Sequence, residues 1–163
     1  MLKRILIISA ILFGFSSCSE DSADGTETCR NETGVPIGTF DAMGNGGVDW
    51  SVVSWTPSIM TVDTNSDNGI YHYTFADSNY KPFWVGVTMQ SNGSRCDLIG
   101  IAMAYIPDAN TSYSYGTSCS NGCNGVKISP SKRSLVLTNV TISGVAFPSN
   151  ERIESTINGS IAW

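Results

Sequence analysis

The chain has 163 residues, a formal net charge of -5, and 9 Lys+Arg against 14 Asp+Glu. That length suits one domain with a sizeable core. No basic cluster exceeds Lys132-Arg133, which excludes the electrostatic footprint of a nucleic-acid binder.

At the start, Lys3 and Arg4 precede an apolar stretch from Ile5 to Phe15, interrupted only by Ser9, Ala10 and Gly14. The stretch is too short for a stable membrane-spanning helix and has the flanks of an export signal. The run Phe15-Ser16-Ser17-Cys18 resembles the lipobox of bacterial lipoproteins. That resemblance covers the first 21 residues or so and implies a signal peptide over residues 1–17 and acylation of Cys18. It implies a membrane partner as well, each buried methylene of the acyl chains contributing about 0.8 kcal/mol. Ser19 is similar to the outer-membrane default at the second mature position, and Ser19-Glu20-Asp21 resembles the acidic surface-export signal of Bacteroidota lipoproteins. Asp21-Ser22-Ala23 resembles the O-glycosylation tripeptide of the same group. The expected address is therefore the outer membrane, lipid-anchored and facing the cell exterior. The competing reading is an ordinary cleavable signal that leaves Cys18 as an odd thiol.

Residues 18–34 carry Glu20, Asp21, Asp24, Glu27 and Glu32 against Arg30, with almost no apolar side chains. Such a segment builds no core and reads as a flexible acidic tether. Without Lys3 and Arg4 the chain holds 7 basic and 14 acidic residues, a net charge near -7, much of it in this tether.

A single domain is expected over residues 35–163. Beyond the signal only Leu98, Leu135 and Leu137 remain of the leucines, while Ser, Thr, Asn, Gly, Val and Ile dominate. These residues favour strands and turns over helix interiors. Short β-rich runs alternate with turn clusters: Ile37 to Met43, a Gly44-Asn45-Gly46-Gly47 turn, Val48 to Trp55, and, after Pro57, Ile59 to Val62. Tyr71, Tyr73 and Phe75 share one face against His72 and Thr74, and Phe83, Val85, Val87 and Met89 one face against Trp84, Gly86, Thr88 and Gln90. Leu98 to Ile106 is apolar on both faces, which suggests a central strand packed on two sides. Ser134 to Phe147 is a long run, and in Arg152 to Trp163 the residues Ile153, Ile157, Ile161 and Trp163 point one way. About eight or nine strands without a helix or repeat predict an all-β fold. An antiparallel β-sandwich, immunoglobulin-like or jelly-roll, is the first expectation and a small β-barrel the second. "SLVLTNVTISG" and "STINGSIAW" are similar to the closing strands of small Bacteroidota lipoproteins.

Besides Cys18 there are Cys29, Cys96, Cys119 and Cys123. An even set in an exported chain reads as disulfides. The short turn of "CSNGC" favours Cys119 with Cys123, which leaves Cys29 to pair with Cys96 and pin the end of the tether. A thiolate zinc site lacks its spacing, because there is one C-x3-C and a single histidine.

Asp63, Asn65 and Asp67 in "DTNSDNG" resemble the opening of a calcium loop, but Asn68 and Thr74 stand where that loop needs Gly and a bidentate Glu. Asn68-Gly69 is instead a hairpin signal between two strands. His72 has no nucleophile motif beside it. Asp41, Asp49, Asp77, Asp97, Asp108, Glu151 and Glu154 offer no spacing that pairs two carboxylates for glycoside hydrolysis. No catalytic residue and no cofactor site is therefore assigned. Residues 108–125 read as a long polar loop in which Tyr113 and Tyr115 alternate and a disulfide forms a staple. Such a loop on a rigid scaffold suits a glycan or surface-protein partner, with Trp50, Trp55 and Trp84 as further ring surface or as core. The functional expectation is a membrane-anchored binding module acting through that loop. The alternatives are an assembly lipoprotein that adds a partner strand to a free sheet edge, or a hydrolase of unrecognised type.

Overall fold

The structure is a computed structural model and describes residues 27–45, 53–77, 83–119 and 123–163. The signal segment, Cys18, the Gly46-Gly47 turn, Asp49 and Trp50 lie outside the described residues.

Among the described residues there are ten strands and no helix. In chain order they are β1 (Ile37–Asn45), β2 (Val53–Trp55), β3 (Ile59–Asn65), β4 (Ile70–Ala76), β5 (Phe83–Asn92), β6 (Arg95–Tyr105), β7 (Ser112–Ser118), β8 (Val126–Ser129), β9 (Ser134–Phe147) and β10 (Arg152–Ala162). All pairings are antiparallel, in the order β2-β1-β10-β9-β7-β6-β5-β4-β3, with β8 beside β9. The sheet curls into a half-barrel around one apolar core.

Two leaves meet at a short seam. β9 gives its last residues to β7, from Tyr115 opposite Gly144 to Ser112 opposite Phe147, and its first residues to β8. Gly144 permits the seam, since a Cβ there would lie 2.0 Å from the Ser114 carbonyl oxygen. Between the two halves of β9 the register slips: Val140 faces Ile157 on β10, yet Leu137 faces Gly159. The extra residue is accommodated by Asn139, whose φ is 49° and whose N–H donates to Asn158 Oδ1 at 2.7 Å. Asn tolerates this left-handed conformation better than most residues, and such a bulge re-aims the side chains that follow it. Leu135, Leu137, Val140 and Ile142 are all buried as a result, although strict alternation would put the second pair outside.

The same device explains β6. Thr88 faces Gly100 but Met89 faces Leu98, so Ile99 is the extra residue. Leu98 packs against the core with Ile101 and Met103 because of it. The strand is interior by pairing, with β5 on one side and β7 on the other. The bulge accounts for Leu98, while beyond it Ile101 and Met103 are buried on one face and Ala104 on the other.

Where no bulge intervenes, alternation reads directly. Phe83, Val85, Val87 and Met89 are each buried, as are Tyr73 and Phe75. Ile153, Ile157 and Ile161 fill β10, with Ser155 between them donating its hydroxyl to the Met43 carbonyl at 2.9 Å. Trp163 closes the chain against Tyr73 and Phe75, ring centroids 6.2 and 5.3 Å apart.

Both disulfides are present, Cys29–Cys96 and Cys119–Cys123. Iodoacetamide under native, non-reducing conditions is therefore expected to label none of these four sulfurs; mass spectrometry finding two adducts per molecule would defeat the pairing. The described part of the acidic tether is fastened to the domain. Glu27 accepts hydrogen bonds from Ser129 Oγ, Ser131 N and Ser131 Oγ, and Glu32 pairs with Arg133. The Arg133 guanidinium, by hydrogen bond and charge, holds the Glu32 carboxyl below its ordinary range. That attraction is present at neutral pH and lost as the pH falls through the lowered pKa.

Candidate functional site

The segment expected to be a polar loop contains β7, Ser112–Ser118, and the physical cause of that strand is pairing. Tyr113 to Ser118 pair with β6 and Ser112 to Tyr115 with β9, so backbone partners rather than apolar side chains order this stretch. Alternation then sends Tyr113 and Tyr115 inward together. Tyr115 is 3% exposed and belongs to the core, while Tyr113 is half-buried. The two rings do not form an exposed pair as expected: Tyr115 is in the core and Tyr113 is partly exposed.

Tyr113 ends a stacked series of rings. It lies 5.8 Å from Tyr105 at an interplanar angle of 17°, and Tyr105 lies 4.3 Å from Phe83 at 13°. The three are direct cross-strand neighbours, since Phe83 faces Tyr105 and Tyr105 faces Tyr113. Trp55, from the short edge strand β2, continues the series to Phe83 at 5.8 Å and to Phe40 at 5.4 Å. Offset ring pairs of this kind contribute about 0.5–1.5 kcal/mol each beyond their buried area. Beyond Tyr113 the next residue across the sheet is Ala146, whose methyl adds no ring. Among the described residues the series thus runs out to the half-buried Tyr105 and Tyr113, beside the turn at residues 106–111. In that turn Asp108 Oδ1 accepts the N–H groups of Asn110 and Thr111 at 2.7 and 3.0 Å. The Trp55 indole N–H is buried without an acceptor among the described residues.

The remaining sequence candidates are dispersed. Trp84 sits on the outer face of β5, its ring 3.1 Å from where a Gly86 Cβ would stand. His72 Nδ1 is 3.1 Å from Thr88 Oγ1 and lies across from Asp63 in the β3–β4 pairing, on the solvent face. Asn65, Asp67 and Gly69 form the β3–β4 hairpin: Asn65 Oδ1 accepts the Asp67 N–H at 3.2 Å, and Gly69 has φ 62°. Asp63 lies on β3, before that turn. No group of three or more His, Cys, Asp or Glu side chains gathers among the described residues. Asp41 is engaged by Ser54 Oγ, Asp97 by Arg95 at 3.1 Å, and Asp108 by its own turn, so these carboxylates have local structural partners. No protein-family model, curated protein or solved structure matches the chain.

The burial difference yields a prediction. Tyr115→Ala is expected to cost about 3–5 kcal/mol of stability, as for other large buried rings, and Tyr113→Ala clearly less. Urea unfolding of the two single variants checks this; equal losses would mean that Tyr113 is as much core as Tyr115. In the sequence the series is present only as scattered aromatics, because strand pairing brings residues 83, 105 and 113 together and the curl of the sheet brings residue 55 to them.

Proposed function

We propose that the chain is an exported lipoprotein, anchored through Cys18 in the outer membrane and facing the exterior, that binds glycan or protein at the Tyr105–Tyr113 end of its ring series. One observation carries the reading: the Cys29–Cys96 bridge and the rings occupy opposite ends of one strand. Cys96, bridged to the segment that leads toward the N-terminus, is the second residue of β6, and Tyr105 is its last. Nine residues of strand separate them by about 30 Å. A tether fastened at one end leaves the other free to meet a partner, and a rigid sheet holds the tyrosines in place without loss of side-chain entropy. The lipobox resemblance supports the address, and the compartment suits the two disulfides. Two leaves facing each other across one core also support a sandwich-like scaffold, immunoglobulin-like or jelly-roll, carrying its binding groups at the strand ends.

The test is binding of the lipid-free chain from residue 19 to an array of neutral oligosaccharides and of cell-surface proteins, with Tyr113→Ala as the control. The expected result is at least one ligand whose signal falls ten-fold or more in that variant, with an unchanged far-UV spectrum. Equal signals for both proteins on every ligand would remove Tyr113 from the site.

A second reading, strand addition to a partner, is favoured by β3, whose outer edge pairs with no strand among the described residues. Concentration-dependent elution in size-exclusion chromatography would support it.

A further inference from the structure

We infer that residues 27–36 are a reducible strap: opening the Cys29–Cys96 bridge releases this segment from the half-barrel and uncovers apolar surface beneath it, while the sheet stays folded. The strap touches both leaves. On one it is held by Cys96 of β6 and Tyr73 of β4. On the other it is held by the turn between β8 and β9, through Ser129, Ser131 and Arg133, and by Trp163 at the end of β10. The contacts with Tyr73 are reciprocal: its hydroxyl donates to the Arg30 carbonyl at 2.7 Å and accepts the Arg30 N–H at 3.1 Å. Gly34 lies so close that a Cβ there would stand 2.9 Å from the Trp163 carbonyl carbon.

These holds differ in kind. The Glu32 pairs with Arg133 and Arg30 have side chains 40–50% exposed, where salt and water weaken ion pairs. The backbone bonds to Tyr73 are two, and water replaces both once the segment lifts. Only the disulfide is covalent, and its cysteines are 67 residues apart in sequence, so its loss removes the one short covalent tie between the strap and β6. Both of its cysteines are half-buried and so partly open to an attacking thiolate, whereas in the other bridge only Cys123 is half-buried and Cys119 is 3% exposed. The strap lies on Tyr73 and Trp163, whose rings pack against each other, and Trp163 packs in turn on Phe75. The sheet does not depend on the strap for pairing, because β1 enters its ladder at Ile37, after the strap has ended.

The chemistry balances with a dithiol as the two-electron donor. One dithiol sulfur, as thiolate, attacks a sulfur of the bridge and displaces the other as thiolate. The second dithiol sulfur then closes on the first, and the products are two cysteine thiols and a cyclic disulfide.

The experiment treats the folded chain with graded dithiothreitol, maps which cysteines become alkylated, and follows amide hydrogen exchange. The expected result is labelling of Cys29 and Cys96 before Cys119 and Cys123. Exchange in residues 27–36 should accelerate at least ten-fold, 1-anilinonaphthalene-8-sulfonate fluorescence should rise, and β9 and β10 should remain protected. A Cys29→Ser/Cys96→Ser variant should show the same pattern without reductant. Continued protection of residues 27–36 with both cysteines alkylated would overturn the inference. So would simultaneous loss of protection in the strap and in β9 and β10, since the bridge would then be only a staple for the whole fold.

Discussion

Deleting Ile161 to Trp163 is expected to remove about 5 kcal/mol or more of folding free energy, enough to abolish a cooperative thermal transition in a domain of ordinary stability. Ile161 is 1% exposed, and truncating such a residue to Ala alone costs about 2–5 kcal/mol. Trp163 adds its ring contacts with Tyr73 and Phe75 and a backbone bond from its N–H to the Arg133 carbonyl at 3.0 Å. The deletion also removes strand pairing on both sides, since Ile161 faces Gly38 of β1 and Leu135 of β9. Ordinary termini fray without consequence, but this one is tied down by neighbours on two strands and across the barrel. Circular dichroism of the truncated chain checks the expectation; a melting temperature within a few degrees of the full chain would mean that β10 ends before Ile161 and that Trp163 packs on nothing.

How much of this was legible in the sequence depended on whether alternation survived folding. β4, β5 and β10 bury one face, so their apolar period of two named the core residues directly. β6 and β9 each contain a bulge, at Ile99 and Asn139, and a bulge moves every later side chain to the other face. In β6 the bulge brings Leu98 to the side of Ile101 and Met103, while Ala104 is buried on the opposite face. β7 was hidden for a different reason. Its sequence, Ser-Tyr-Ser-Tyr-Gly-Thr-Ser, has the composition of a loop, and what orders it is pairing with β6 and β9, which sequence spacing does not display. The disulfides were legible because the chain offers few partners and the expectation of export made pairing the first reading. The ring series was not: Trp55, Phe83, Tyr105 and Tyr113 are separated by tens of residues and become neighbours only through the order β7-β6-β5 and the curl that brings β2 across. The misreading of β7 has a practical consequence. A double Tyr113→Ala/Tyr115→Ala control would lose binding by unfolding, so only the single Tyr113 variant tests the site.

Gly159→Ala is expected to cost about 3 kcal/mol or more and to disturb the ring series from a distance. Gly159 has φ 156°, a conformation L side chains rarely adopt. A Cβ there would lie 2.4 Å from the Thr39 carbonyl oxygen and 2.7 Å from Phe40 Cδ1. Backbone strain of this kind costs about 1–3 kcal/mol and overpacking of a filled core about as much again. The backbone oxygen has nowhere to go, because Thr39 is held opposite Ser160 in the ladder. The Phe40 ring is the movable partner. It lies directly across from Gly159 and covers it, an arrangement that shields a strand glycine with an aromatic neighbour. Displacing that ring disturbs its stacking on Trp55 and its edge contact with Phe75, 6.0 Å away, and through Trp55 the contact with Phe83. The variant should therefore unfold at lower urea and, while still folded, show altered near-ultraviolet circular dichroism from the aromatic groups. Phe40→Leu in the same background separates the two causes: it vacates part of the space, so it should recover some of the lost stability if the ring clash contributes and none if the Thr39 oxygen accounts for the whole effect. An unchanged urea midpoint for Gly159→Ala itself would mean that β1 and β10 do not approach as closely as the Phe40–Gly159 pairing requires.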